Sequence, residues 1–303
     1  MNKIALIMPY FGKSPIWFDL YLYSCSKNPF IDFIFFTDCL EPKTIYTNTI
    51  FHNISYKDYC EKISHTLNIS FTPQSPYKLC DVRPFYGIIH KKELEGYAWW
   101  GYGDLDLVYG DLSLIINNTR KRRYKIITTH ADRVAGHFTI IKNESKCCTY
   151  AYKIKNWEEK IEEDKIYGLD EHDLTLIVYP LQKIIWRLHR WINKLIKVHP
   201  YTFFNFFNII TNKITQLHIK EYYTSPLPLI GEKWIYDIKK NTIIAPNKKE
   251  IPYLHFLFFK KTPFWNNEIY WMEDSWNIDI NKINEYKYIV FDKKSINYSN
   301  YIK

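Results

Sequence analysis

The chain opens with short, dense apolar runs of strand length. Ile4 to Met8 is one, closed by Pro9, and Phe30 to Thr37 (FIDFIFFT) is another, closed by Asp38. Between them, the loop Pro9-Tyr10-Phe11-Gly12-Lys13 leads to a stretch of helix length, Pro15 to Ser26. Strand, helix and strand in that order predict the start of a parallel α/β sheet. Ser55 to Leu67 reads as a second helix and Asn68 to Pro76 as a proline-containing loop. Tyr77 to Leu94 reads as a helix interrupted or bent at Pro84. Tyr124 to Thr128 and His137 to Ile141 read as strands, and Asn143 to Lys165 as partly helical. Gly168-Leu169-Asp170-Glu171 then has acids in the first turn of a helix ahead of the apolar run Leu174 to Tyr179.

The stretch Gly96 to Leu112, GYAWWGYGDLDLVYGDL, stands at the centre of this pattern. An aromatic run ends in Gly-Asp-Leu-Asp. Residues two apart on an extended chain share a side, so Asp104 and Asp106 are expected to project from a strand end toward one point. Two like charges so close call for a counter-charge, and a hard divalent cation bound through oxygen supplies one. A solvated turn after a strand fits the same residues. Ligands of open α/β sheets lie at the carboxyl ends of the strands. That makes Pro9, Tyr10, Phe11, Thr37 and Asp38 candidates for nucleotide contact, alongside an ordinary loop role.

The character changes after Leu174. From there to Lys220 there is no Asp or Glu. Lys183, Arg187, Arg190, Lys194 and Lys197 recur at helical spacing, with Ile184, Ile185, Leu188, Trp191, Ile192, Leu195 and Ile196 on another face. Such a helix suits an anionic membrane surface or an ordinary packed position. The pattern divides the chain into residues 1–180, an α/β core, 181–220, a basic amphipathic helical segment, and 221–303, where short apolar runs alternate with Pro, Asn and Lys.

Composition narrows the classes. Apolar residues at 47% exclude global disorder, and a net charge of +9 points to an anionic partner. The cysteines have neither a Cys-x-x-Cys pair nor zinc spacing. The N-terminal apolar run is too short for a signal peptide and no run spans a bilayer, so a cytoplasmic protein, peripheral at the inner face of the cell membrane, is expected. No nucleic-acid-binding motif is present, so nucleic acid is not an expected partner.

Four pieces in order carry a resemblance: Asp104/Asp106, the run Ala135-Gly136-His137-Phe138-Thr139, the acids Asp170-Glu171, and His255 followed by Lys260, Lys261, Pro263 and Trp265. This order resembles the nucleotide-sugar glycosyltransferases of the A-type (GT-A) fold. It is most similar to the retaining branch that includes lipopolysaccharide galactosyltransferases and glycogenin. Lys78 to Leu112 also resembles bacterial polysaccharide-cluster proteins presumed to be glycosyltransferases. The resemblance implies a Rossmann-like, mostly parallel sheet flanked by helices, with a helical, basic C-terminal region. It implies that Asp104, Asp106 and His255 hold Mn²⁺ or Mg²⁺, and that Asp104 also reaches the donor. Lys78 or Arg83, Asp81, Gly136, Lys260 and Lys261 would line the donor site, and Asp170 and Glu171 would be the catalytic acids near the anomeric carbon. The implied reaction moves a hexose from a UDP-sugar to a glycan or lipid-linked acceptor, retaining favoured over inverting. The alternative is a basic, aromatic carbohydrate- or nucleic-acid-binding module without catalysis.

Overall fold

The computed structural model describes residues 3–120, 124–130, 133–188, 233–257, 276–292 and 295–301. Strand β1 (Ile4–Pro9), helix α1 (Phe18–Ser26) and strand β2 (Ile31–Thr37) open the chain. Nearly every residue of β1 and β2 is buried, which is why both read as unbroken apolar runs rather than alternating ones. The buried acid in β2, Asp32, accepts from Lys3 Nζ at 2.8 Å and from the Tyr97 hydroxyl at 2.7 Å. Strand β3 (Thr49–Asn53) follows, then α2 (Tyr56–Leu67). Ser55 Oγ caps α2 by accepting from Asp58 N at 3.1 Å, and Asn68 closes it at φ 55°.

The expected helix Tyr77 to Leu94 is instead a chain of single turns. Pro76–Lys78 and Arg83–Phe85 are 3₁₀ turns, and between and after them lie α3 (Leu79–Val82) and α4 (Tyr86–Ile89). Pro84 breaks the ladder without ending the run. Strand β4 (Trp99–Gly103) then enters the sheet, and β5 (Leu107–Tyr109), α5 (Ser113–Arg120), β6 (Ile126–Thr128) and β7 (Phe138–Lys142) follow. Short helices α6 (Ser145–Cys148) and α7 (Trp157–Glu162) lead to a π-helical turn, Leu169–Asp173, and to α8 (Leu174–Val178).

The main sheet has six strands in the order β3-β2-β1-β4-β7-β6. Strands β3, β2, β1 and β4 run parallel, and β7 is antiparallel to both β4 and β6. Together with its flanking helices this is a mixed, mostly parallel α/β architecture of Rossmann-like kind. Beyond it come β8 (Trp234–Asp237), β9 (Thr242–Ile244), β10 (Glu250–Ile251), β11 (Tyr253–His255), β12 (Tyr288–Phe291) and β13 (Ile296–Ser299). Five of these form an antiparallel sheet, β10-β9-β8-β12-β13. Its apolar residues pack with Leu20 and Tyr23 of α1 and Val108 of β5 in one core. Strand β11 leaves that sheet and pairs with β5.

Gly96 to Leu112 is therefore not one strand. β4 stops at Gly103, Asp104-Leu105-Asp106 forms the connection, and β5 starts a separate ribbon. Among the described residues no helix is long and apolar enough to cross a membrane. Most of the basic segment, including Arg190, Lys194 and Lys197, lies outside the described residues, as do Lys260 and Lys261.

Candidate functional site

The parallel strands end on one edge. Pro9 lies opposite Phe36, Thr37 opposite Asn53, and Gly103 opposite Phe138. The strand order turns back between β1 and β4, and a crevice at such a switch point is where open α/β sheets take ligands.

Asp104-Leu105-Asp106 sits at that edge, and its backbone is held from three directions. Asp104 N donates to His137 O at 3.0 Å and Phe256 N donates to Asp106 O at 3.1 Å. Trp17 Nε1 donates to Leu105 O at 2.7 Å. The β5–β11 register sets Leu107 opposite His255, which brings the imidazole alongside Asp106. His255 Nε2 lies 3.2 Å from Asp106 Oδ2. One ligand atom each from Asp104, Asp106 and His255 lies within 4.8 Å of the others. The two aspartates converge through this turn, not through strand alternation. Asp106 and His255 are buried, and Asp104 remains partly open to solvent.

The donor set is two carboxylates and one imidazole, a mixture suited to Mn²⁺ and, through its oxygens, to Mg²⁺. The His255 ring stacks on His137 at 4.6 Å, and His137 Nε2 shares a 2.9 Å hydrogen bond with the Tyr253 hydroxyl.

A second acidic group lies across Arg83. The Arg83 guanidinium donates to Asp104 Oδ1 at 2.5 Å, to Asp170 Oδ2 at 3.0 Å and to Gly136 O at 2.9 Å. Glu171 accepts from Gly136 N at 3.1 Å and from Arg133 Nε at 3.3 Å. A Cβ on Gly136 would stand 2.8 Å from Asp170 Oδ2 and 3.0 Å from Glu171 Oε1, so only glycine lets the two carboxylates close on this backbone. Burial pushes the Asp170 carboxyl up to about 7, with Arg83 opposing and the Glu171 charge adding to the rise. Glu171 is the more open of the two acids. Both belong to the π-helical turn, a local widening that recurs at functional sites.

Lys78 and Asp81, expected at the donor site, are placed differently. They are fully buried and pair at 2.9 Å. Lys78 Nζ also donates to Lys160 O at 2.7 Å and to Lys165 O, which uses all three of its hydrogens on protein. Asp81 accepts from Tyr167 N and Leu169 N, each at 2.9 Å. The pair ties the chain ahead of Asp170 to the run that carries Arg83. Its surroundings are protein, which leaves no direction from which a donor could meet either charge.

The other expected contacts divide. Pro9 and Tyr10 lie at the end of β1, where Tyr10 N donates to Phe36 O at 3.0 Å and the Tyr10 hydroxyl to Lys13 O at 2.7 Å. Phe11 is buried against Tyr56 and Tyr59 and belongs to the core. Thr37 is buried and its Oγ1 accepts from Cys39 N at 3.2 Å. Asp38 is exposed and accepts from Tyr56 N at 3.2 Å, at the start of α2. Arg133 and Trp17 were missed by the sequence reading, and His137 was read only as part of the run that carries the resemblance. Arg133 and His137 flank Ala135-Gly136, and that adjacency was the signal available for them. Trp17 carried none, since its target is 88 residues away.

The sequence matches the Family of unknown function (DUF6625) over residues 6–287. The chain belongs to this family. No curated protein matches the chain. The part of the chain assigned to DUF6625 contains every residue of the site, from Pro9 through the Asp104-Leu105-Asp106 turn to His255. The site is thus built from residues inside the region that defines DUF6625.

Proposed function

We propose that the protein is a metal-dependent glycosyltransferase of the GT-A kind. It moves a sugar, a hexose such as that of a UDP-hexose, from a nucleotide diphosphate donor to a glycan or lipid-linked acceptor in bacterial surface polysaccharide or lipooligosaccharide synthesis. The observation that carries this reading is the Asp104–Asp106–His255 cluster at the switch-point edge of the sheet, facing a second acidic pair across Arg83. A purely structural cluster has no need of such an edge or of a second, separately oriented pair.

Asp104, Asp106 and His255 hold Mn²⁺ or Mg²⁺, which when bound neutralises charge on the diphosphate leaving group. Arg83 adds a fixed positive charge between this centre and the acids at Asp170 and Glu171. Pro9, Tyr10 and Asp38 line the edge where the nucleoside lies. Glu171 is aimed by Gly136 N and Arg133 and is the group that meets the sugar carbon. Asp170, buried and bonded to Arg83, orients that charge. As nucleophile, the Glu171 carboxylate would give retention, the outcome that the resemblance to the retaining branch favours over inversion.

The acceptor side lies toward residues 181–188. His172, beside Glu171, stacks on Trp186 at 5.2 Å. On the same segment Leu181, Ile184 and Leu188 are exposed by 55%, 54% and 39%, next to Lys183 and Arg187. An apolar stripe flanked by cations supports peripheral contact with an anionic membrane at its cytoplasmic face. Lys183→Glu with Arg187→Glu is expected to weaken sedimentation with anionic vesicles, and unchanged sedimentation removes the membrane from the proposal.

The test of the main reading is thermal unfolding with UDP and Mn²⁺, together and apart. Stabilisation that needs both and is lost in Asp106→Ala supports the transferase. Stabilisation by an oligosaccharide or oligonucleotide without metal supports the alternative, a binding module.

A further inference from the structure

The turn that carries the two aspartates is fixed by a residue far from it in sequence. Trp17 stands just ahead of α1, in the loop that leaves β1. Its indole N–H donates to Leu105 O, the carbonyl between Asp104 and Asp106, at 2.7 Å. Its ring meets Phe256 edge-on at 4.9 Å and an interplanar angle of 85°. Phe256 follows His255 directly, and its own N–H donates to Asp106 O. One side chain therefore touches both segments that supply the three ligand atoms, and it belongs to neither.

We infer that Trp17 is a positioning residue for the metal centre, locking the Asp104-Leu105-Asp106 turn against the strand that carries His255. This rests on the metal-binding reading of those three residues. The chemistry argues for it in two ways. A carbonyl between two ligands must be held if both carboxylates are to face one ion, because rotation of either adjoining peptide swings one of them away. A tryptophan also serves where two segments must be held together, since its rigid ring fixes one while its single N–H donor fixes the other. Trp17 is only partly buried, and its N–H is directed at this one carbonyl. Filling a core would require no such direction. Partners behind the ligands of metal sites commonly govern affinity by about 10–100-fold.

Trp17→Phe keeps a ring against Phe256 and removes the N–H, whereas Trp17→Leu removes both. The measurement is Mn²⁺ affinity of the full chain by isothermal titration calorimetry, cross-checked by the free-Mn²⁺ electron paramagnetic resonance signal. Thermal unfolding of the metal-free proteins runs alongside. Trp17→Phe is expected to weaken Mn²⁺ binding about tenfold with the metal-free melting temperature unchanged, and Trp17→Leu to weaken it further. Binding by Trp17→Phe within twofold of the wild type overturns the inference. So does a loss of affinity that only accompanies a lower metal-free melting temperature, which marks Trp17 as ordinary packing. A wild-type protein that binds no Mn²⁺ overturns the metal reading itself and the inference with it.

Discussion

Two cation–carboxylate groups lie on one short run of chain, and they could hardly be more different. Lys78 and Asp81 are sealed, with side-chain exposures of 2% and 0%. Every hydrogen of the ammonium is spent on protein, and both carboxylate oxygens take backbone N–H groups. Arg83, a few residues on, spans two acids from different elements, and one of them, Asp104, keeps 27% of its side chain exposed. The first group has nothing left to offer a ligand. The second holds charges apart at an opening, and Asp104 still faces solvent. Burial with complete satisfaction marks a structural duty, and partial exposure with charges from several elements marks a chemical one.

The largest expected effect probes the sealed group. Asp81→Ala strands the Lys78 charge and frees two backbone N–H groups, and should cost about 3–5 kcal/mol in urea unfolding. Replacing both partners, Lys78→Met with Asp81→Leu, should cost less than Asp81→Ala alone, because no buried charge remains. If Asp81→Ala unfolds like the wild type and loses nucleotide binding instead, the two groups have been assigned the wrong way round.

At the carboxylate–imidazole cluster beside the open group the order reverses, with function lost and fold kept. Asp106→Ala should reduce Mn²⁺ affinity by more than about 100-fold with unchanged circular dichroism, since even partners behind the ligands are worth that much. Metal-dependent nucleotide binding that survives this change removes the central claim.

Asp170 offers a test by pH. Its carboxyl, ordinarily near about 4, is lifted to about 7 in the fold by burial. Between those values the native state binds the proton more tightly than the unfolded chain does. Asp170 therefore makes stability fall as pH rises through that window, by at most about 1.4 kcal/mol per pH unit. Above pH 7 and below pH 4 it adds no slope. Asp170→Asn should flatten the urea-unfolding profile between pH 4 and 7, and a profile parallel to that of the wild type rules the shift out. The smallest effect concerns Arg83. Arg83→Gln leaves Asp104 without its competing cation and should tighten Mn²⁺ about threefold in calorimetry, the size of one partly screened ion pair. It should also drive the Asp170 carboxyl still higher in an NMR titration, because Arg83 is the charge that holds it down.

How far the sequence could be read follows from where each interaction reaches. Strands β1 and β2 were legible because burial on both faces makes a strand an apolar run. Strand β3, Thr-Ile-Phe-His-Asn at the sheet edge, is half exposed and has no such run, and it was missed. The strand end ahead of Asp104 was legible from its aromatic run, whereas the alternation expected of Asp104 and Asp106 gave way to a turn between β4 and β5. The break exists because the chain changes partner from β1 and β7 to β11. The pairing of His255 with those acids followed from a resemblance, and no local pattern contains it. Lys78 and Asp81 were placed at the donor by resemblance, and nothing local tells that an i,i+3 pair of opposite charges is buried and paired rather than open to a ligand. Arg83 was noticed as a charge, but its reach to Asp170 depends on a turn 87 residues away.

The β5–β11 ribbon has a consequence for the order in which the protein matures. Asp106 and His255 are 149 residues apart, and the β5–β11 ribbon sets them side by side. A chain still emerging from the ribosome presents both aspartates long before it can supply the imidazole. On the proposed metal reading, cation capture would report that synthesis has passed residue 255 and that β11 has docked. By mass action, a cation bound at the proposed site would stabilise the docked β5–β11 ribbon against local opening. Free Mn²⁺ should accordingly slow amide hydrogen exchange in β11 more than in β1 or β2.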